Sequence, residues 1–123
     1  MMAKPLGIII EDDKEIGKIF TIALQTNFEI EWYMDGFKAL ARLLQVTPAI
    51  IILDLNLPKI SGKDILMKIR ADQRLTNVPV IIATADFHQA KSMESKADII
   101  LIKPISPIQL RELALRVCGM VSQ

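Results

Sequence analysis

The chain has 123 residues, 51% of them hydrophobic and 24% charged, which is a length for one domain and a composition that excludes a disordered chain. A net charge of +1 supplies no electrostatic reason to bind nucleic acid, a membrane surface or a polyanion. The single cysteine, Cys118, excludes a disulfide framework or thiolate metal site and reads as a small buried apolar residue of the last helix.

The first predicted strand is Leu6–Ile10, short, rich in isoleucine and apolar without alternation, as strands buried on both faces read. It runs into Glu11-Asp12-Asp13. A helical stripe of Ile16, Ile19, Phe20, Ala23 and Leu24 follows, then a second strand over Glu29–Tyr33. Phe37, Leu40, Ala41 and Leu44 mark a second helix, ended by Thr47-Pro48, before a third strand over Ile50–Asp54. Ile65, Leu66 and Ile69 mark a third helix, and Asn77-Val78-Pro79 leads into a fourth strand over Val80–Thr84. The fourth helix, about Phe87–Ser95, has only Ala90 and Met93 to bury among polar neighbours, which predicts a loosely held segment. A fifth strand covers Ile99–Lys103. Ser106-Pro107 then caps and starts a fifth helix with Leu110, Leu113, Ala114 and Val117 on its apolar face.

Five strands alternating with five helices predict an α/β fold, a doubly wound parallel sheet of flavodoxin-like (βα)5 type with strand order 2-1-3-4-5. One domain is expected to fill residues 1–123, and Cys118–Gln123 reads as a helix stop that ends a complete chain. Mean hydropathy is +0.35, yet the longest apolar runs, Ala49–Leu53 and Val78–Ala83, fall far short of the roughly 20 residues of a membrane span. Met1–Ile10 lacks the long apolar region and small-residue cleavage site of a secretory signal. A cytoplasmic location follows as the expectation.

In such sheets ligands sit outside the carboxyl ends of the strands. Those ends carry Glu11-Asp12-Asp13, Asp54, Thr84 and Lys103-Pro104. Adjacent strands lie about 4.8 Å apart, so Asp12 and Asp54 face each other across one spacing. Carboxylates that close repel, which raises a pKa or recruits a cation, and an all-oxygen set suits Mg²⁺. The acidic triplet alone also fits the start of a helix, where the dipole favours anions. Asp54, after four apolar residues, has no such structural reason. Strand 5 is two spacings from strand 3, a gap that the long Lys103 side chain spans. The chemistry that uses this set is phosphoryl transfer to Asp54, with metal, hydroxyl and ammonium taking the phosphoryl oxygens.

With these residues the chain resembles a response-regulator receiver domain of the stand-alone, chemotaxis and phosphorelay type. The likeness rests on Ile8-Ile9-Ile10-Glu11-Asp12-Asp13, Met34-Asp35-Gly36, Ile52-Leu53-Asp54-Leu55-Asn56-Leu57-Pro58 with Ser61-Gly62, Ala83-Thr84-Ala85 and Ile102-Lys103-Pro104. It implies Asp54 as phosphoacceptor, Asp12 as direct Mg²⁺ ligand, Glu11 on metal-bound water and the Asn56 backbone carbonyl in the metal shell, with Mn²⁺ as the substitute ion. It implies Thr84 as switch hydroxyl, Ala85 as the small residue beside the phosphoryl group, Lys103 as phosphate contact and a cis bond to Pro104. A sensor histidine kinase or histidine phosphotransfer protein is the implied donor, and an unidentified protein the target. Neither nucleic acid, membrane nor enzymatic turnover is expected, apart from slow loss of the protein's own phosphoryl group.

The chain also departs from the family. Ile100 stands where receivers usually carry Tyr or Phe, which alters the aromatic part of the switch. Lys96 replaces a frequent Gly and Ile105 a frequent Phe, both near the face of helix 4, strand 5 and helix 5. Asn56 and Asp86 hold the positions that tune phosphoryl lifetime. The competing readings are a receiver fold that signals without phosphorylation and a receiver fragment of a longer regulator. A dehalogenase-type phosphatase would need an acid where Asn56 stands, and a flavodoxin would need a Ser/Thr/Gly-rich loop in place of the three acids.

Overall fold

Isoleucine, valine and leucine are stiff or bulky side chains that suit a pleat packed on both sides, and here they form the centre of the sheet. In a computed structural model that describes residues 3–120, the elements alternate without exception. They are β1 (Leu6–Ile10), α1 (Lys14–Leu24), β2 (Glu29–Tyr33), α2 (Gly36–Leu43), β3 (Ile50–Leu53), α3 (Gly62–Ala71), β4 (Val80–Thr84), α4 (Phe87–Ser92), β5 (Ile99–Ile102) and α5 (Pro107–Val117). All pairings are parallel, in the order β2-β1-β3-β4-β5, as the alternation predicts. Residues 121–123, part of the predicted helix stop, lie outside the described residues. No helix among the described residues is long and apolar enough to cross a membrane.

The period of two divides each strand between two cores. Ile8, Ile10, Ile51, Leu53, Val80 and Ile82 pack with Ala39, Leu43, Ile65, Leu66 and Ile69 from α2 and α3. Ile9, Ile50, Ile52, Ile81 and Ala83 pack on the other face with Phe20, Ala23 and Leu24 of α1 and Leu110 and Ala114 of α5. Each fully buried Ile or Leu side chain contributes roughly 1.5–3 kcal/mol, so both faces hold the central strands in place.

Every helix begins at a polar cap. Asp13, Asp35, Ser61, Asp86 and Ser106 accept backbone N–H groups at the starts of α1 to α5. The capped starts of α1 and α4 follow closely on the carboxyl ends of β1 and β4, whereas a longer loop joins β3 to α3.

Four details differ from the sequence expectation. β3 and β5 each end one residue early, leaving Asp54 and Lys103 just past their strands. Of the stripe Phe37-Leu40-Ala41-Leu44 only Leu40 packs on the core: Phe37 is 54% and Leu44 76% exposed, while Gly36, Ala39 and Leu43 are buried. α4 stops at Ser92, three residues short, as its exposed Glu94-Ser95-Lys96 segment has no apolar face to bury. Cys118 is half-buried at the α5 C-cap, beside the Ala49 carbonyl, and burial raises its thiol pKa.

Gly62, the first residue of α3, fixes the loop that follows β3. Its N–H donates to the Leu55 carbonyl at 2.9 Å. A Cβ there would fall inside contact distance of the Asp54 carbonyl oxygen and 2.6 Å from Leu55 Cα. Backbone cannot swing aside as a side-chain tip can, so Gly62→Ala is expected to cost about 1–3 kcal/mol or more in urea denaturation. An unchanged midpoint and slope would contradict this close approach.

Candidate functional site

The edge formed by β1, β3, β4 and β5 gathers the predicted residues. Parallel pairing of Ile10 with Leu53 sets Glu11 and Asp54 one step beyond matched positions, and the Asp54 N–H donates to the Ile10 carbonyl at 3.0 Å. Carboxylate oxygens of Glu11, Asp12 and Asp54 all lie within 4.8 Å of one another. Glu11 and Asp54 are buried, at 1% and 5% exposure. Asp13, the third acid of the run, takes no part in this group: it caps α1, accepting from the Ile16 N–H at 3.0 Å. The triplet is thus divided: Glu11 and Asp12 lie with Asp54, while Asp13 starts the helix.

Lys103 reaches across from the end of β5. Its Nζ donates to Glu11 Oε1 at 2.6 Å and to Asp54 Oδ2 at 3.0 Å. The contact with Asp54 follows from the strand spacing. The shorter contact with Glu11 does not, because strand order gives no indication of which acid of the triplet turns inward. Burial works against the Lys103 charge, but the hydrogen bonds to Glu11 and Asp54 outweigh it and hold its pKa above the ordinary value. Burial pushes the Glu11 pKa up to about 7, against the lowering influence of Lys103 and the Asp13 N–H, and the nearby Asp54 charge adds to the rise. Three acids and one lysine leave the site short of positive charge. A hard divalent cation with oxygen ligands fits that deficit.

The remaining positions frame the acceptor. The Asn56 N–H donates to Asp54 Oδ1 at 3.2 Å, and the Asn56 side chain is exposed. Thr84 ends β4 fully buried, and its hydroxyl accepts from the Asp86 N–H at 3.3 Å rather than meeting Asp54. Ala85 follows it at the surface. The Lys103–Pro104 peptide is cis, as the resemblance implies, and His88 is exposed.

Ile100 is half-buried and lines a groove of about 240 Å³ with Phe87, Ala90, Lys91, Glu94 and Ile102. Sequence reasoning noted the missing aromatic at Ile100 and overlooked that α4 supplies one: Phe87 sits in the same groove, 54% exposed. Its ring meets His88 edge-on at 5.8 Å. The signal was an aromatic at the first position of a helix otherwise poor in apolar residues.

The comparisons with known proteins agree with this geometry. The family model described as "Response regulator receiver domain" matches residues 8–115. The chain is 34% identical over 104 residues to the DNA-binding dual master transcriptional regulator RpaA of Synechocystis, covering 81% of this chain and 43% of that protein. It is 34% identical over 118 residues to the transcriptional regulatory protein QseB of Haemophilus influenzae, covering 93% and 51%. It therefore spans about half the length of these curated relatives. Among solved structures, the fold matches the BeF3-activated DrrB receiver domain with a TM-score of 0.85 at 25% identity, covering 95% of this chain and 99% of that one. It also matches the chemotaxis response regulator CheY4 of Vibrio cholerae with a TM-score of 0.85 at 24% identity, covering 94% and 99%. With the family model spanning most of the chain, the protein belongs to the response regulator receiver domain family of two-component signalling.

Proposed function

We propose that the protein is a phosphorylation switch in which Asp54 accepts a phosphoryl group from a phosphohistidine of a sensor kinase or phosphotransfer protein. The observation that carries this reading is Lys103 bonded to both Glu11 and Asp54, with Asp12 within 4.8 Å. An Asp54 carboxylate oxygen attacks phosphorus, the P–N bond breaks, and the imidazole nitrogen keeps the electron pair. No general base is required, because the acceptor is already an anion. Asp12, Asp54 and the Asn56 carbonyl would hold Mg²⁺, or Mn²⁺ in its place, and Glu11 would hold water on it. The ion, when bound, offsets charge on the phosphoryl oxygens.

The chain's own groups do the rest. Lys103 exchanges part of its carboxylate contact for a phosphoryl oxygen. The Thr84 hydroxyl leaves the Asp86 N–H to meet another, and Ala85 leaves the entrance open. Because Asp86 caps α4 by accepting the Gln89 N–H, a shift of Thr84 pulls on the start of a six-residue helix. That helix, with β5 and α5, is the proposed output face, biased between two states by phosphorylation. The receiver unit is proposed to span the chain.

The test is intact mass after incubation with Mg²⁺ and a small phosphodonor, with chelator as control and peptide mapping of the adduct. One phosphoryl group on the peptide holding Asp54, absent under chelation, is the expected result. No adduct on the parent protein would overturn the phosphoacceptor role and leave the phosphorylation-independent module.

A further inference from the structure

The chain's one tryptophan, Trp32, reaches the acidic loop from β2, a strand that adds no carboxylate to the site. Pairing places Trp32 beside Ile9 and Tyr33 beside Ile10, so β2 runs along the residues just before Glu11. From there the indole Nε1–H donates to the Glu11 carbonyl oxygen at 2.8 Å. The Glu11 N–H donates in turn to the Tyr33 carbonyl at 3.0 Å. The ring lies across α1 at Gly17, where a Cβ would fall inside contact distance of indole Cε2 and Cζ2. Glycine is unfavourable inside a helix, so the seat for this ring is kept against local preference.

The Glu11 carbonyl belongs to the planar peptide that joins Glu11 to Asp12, so holding it fixes the plane from which the Asp12 side chain departs. Asp12 depends on this more than Glu11 does. The Glu11 carboxylate is anchored twice, by Lys103 at 2.6 Å and by the Asp13 N–H at 3.1 Å. Among the described residues no hydrogen bond reaches the Asp12 carboxylate, whose direction follows from the backbone on either side of it.

We propose that Trp32 is a positioning residue for the cation site: its indole N–H, seated on Gly17, fixes the Glu11–Asp12 peptide and so aims Asp12 at the ion. This inference rests on the reading of Glu11, Asp12 and Asp54 as the divalent-cation site. The role explains an aromatic at the edge strand and a glycine within the second turn of α1 with one contact.

The experiment is calorimetric titration of this 123-residue chain with MgCl2, comparing the parent with Trp32→Phe and Gly17→Ala, after circular dichroism has confirmed the fold of each. Trp32→Phe keeps a ring and removes the N–H. Gly17→Ala favours the helix but displaces the indole, and it keeps tryptophan emission as a second signal. Both are expected to raise the Mg²⁺ dissociation constant about three- to tenfold, the worth of one ordinary hydrogen bond. In the parent, Mg²⁺ is expected to alter Trp32 emission at the same midpoint as the heat signal. If Trp32→Phe does not fold, Gly17→Ala alone decides by the same criterion. Folded variants that bind Mg²⁺ as the parent does would overturn the positioning role alone. A parent that takes up no Mg²⁺ would overturn the cation site itself and this inference with it.

Discussion

Asp54→Asn is expected to abolish phosphoryl uptake from a small phosphodonor, with no adduct by intact mass under conditions that fully label the parent. The amide has no anionic oxygen, and a neutral carboxamide is not a nucleophile toward phosphorus. The buried neighbour Glu11 is not free to substitute. Both oxygens of Glu11 are engaged, by Lys103 and the Asp13 N–H, on a residue 1% exposed. The change should spare the fold. One side of the amide still accepts from Lys103, and loss of the Asn56 N–H contact is offset by relief of charge crowding among carboxylates within 4.8 Å. Each of these is worth on the order of 1 kcal/mol, so the thermal midpoint should move by only a few degrees. An adduct of parental yield on the variant would place the acceptor elsewhere. A collapsed midpoint would instead make Asp54 a structural residue.

How much of this was legible in the sequence depends on what kind of neighbour decides each feature. Strand pairing is repetitive, so the carboxyl-end rule brought Glu11, Asp12, Asp54, Thr84 and Lys103 to one edge before any coordinates. Helix faces were harder. In α2 both Phe37-Leu40-Ala41-Leu44 and Gly36-Ala39-Leu40-Leu43 satisfy the helical period, and the bulkier set attracted the assignment. The smaller set faces inward where α2 begins close to α3 and the loop before it: a Cβ on Gly36 would sit 2.6 Å from Ile60 Cγ2 and 2.8 Å from Ile65 Cδ1. α1 repeats the lesson. Gly17 is buried under Trp32, while Ile19 is 46% exposed beside Ile22, Pro107 and Ile108. Close approach between elements is a pairwise property that periodicity within one element does not encode. The Lys103–Glu11 contact and the Phe87–Ile100 groove escaped for the same reason.

Lys103→Met is expected to destabilise the metal-free protein strongly, and by an amount that grows with pH. The lysine is 14% exposed and its partners 2% and 6% by side chain, so among the described residues it is the only cation bonded to two buried acids. Removing one partner from such a group costs about 3–5 kcal/mol, because the charge left behind has neither water nor counter-charge. Glu11 sets the pH dependence. Its pKa in the folded chain is already about 7 against an ordinary 4.5, and loss of Lys103 removes a contact that lowers it. A carboxyl whose folded pKa lies above its unfolded value takes up protons on folding. Its contribution to stability is therefore complete below about pH 4.5 and is lost as pH rises through about 7, and further up in the variant. The deficit of Lys103→Met relative to the parent should be small near pH 5 and large near pH 8, measured by urea denaturation. Mg²⁺ added near pH 8 should recover much of it, since an ion bound only by the folded state stabilises that state by mass action. The same variant should take up phosphoryl groups poorly even where folded, because no ammonium remains to meet the third phosphoryl oxygen. A deficit that stays constant across this pH range would show that Lys103 stabilises the chain by packing its stem, and would remove the electrostatic argument for the site.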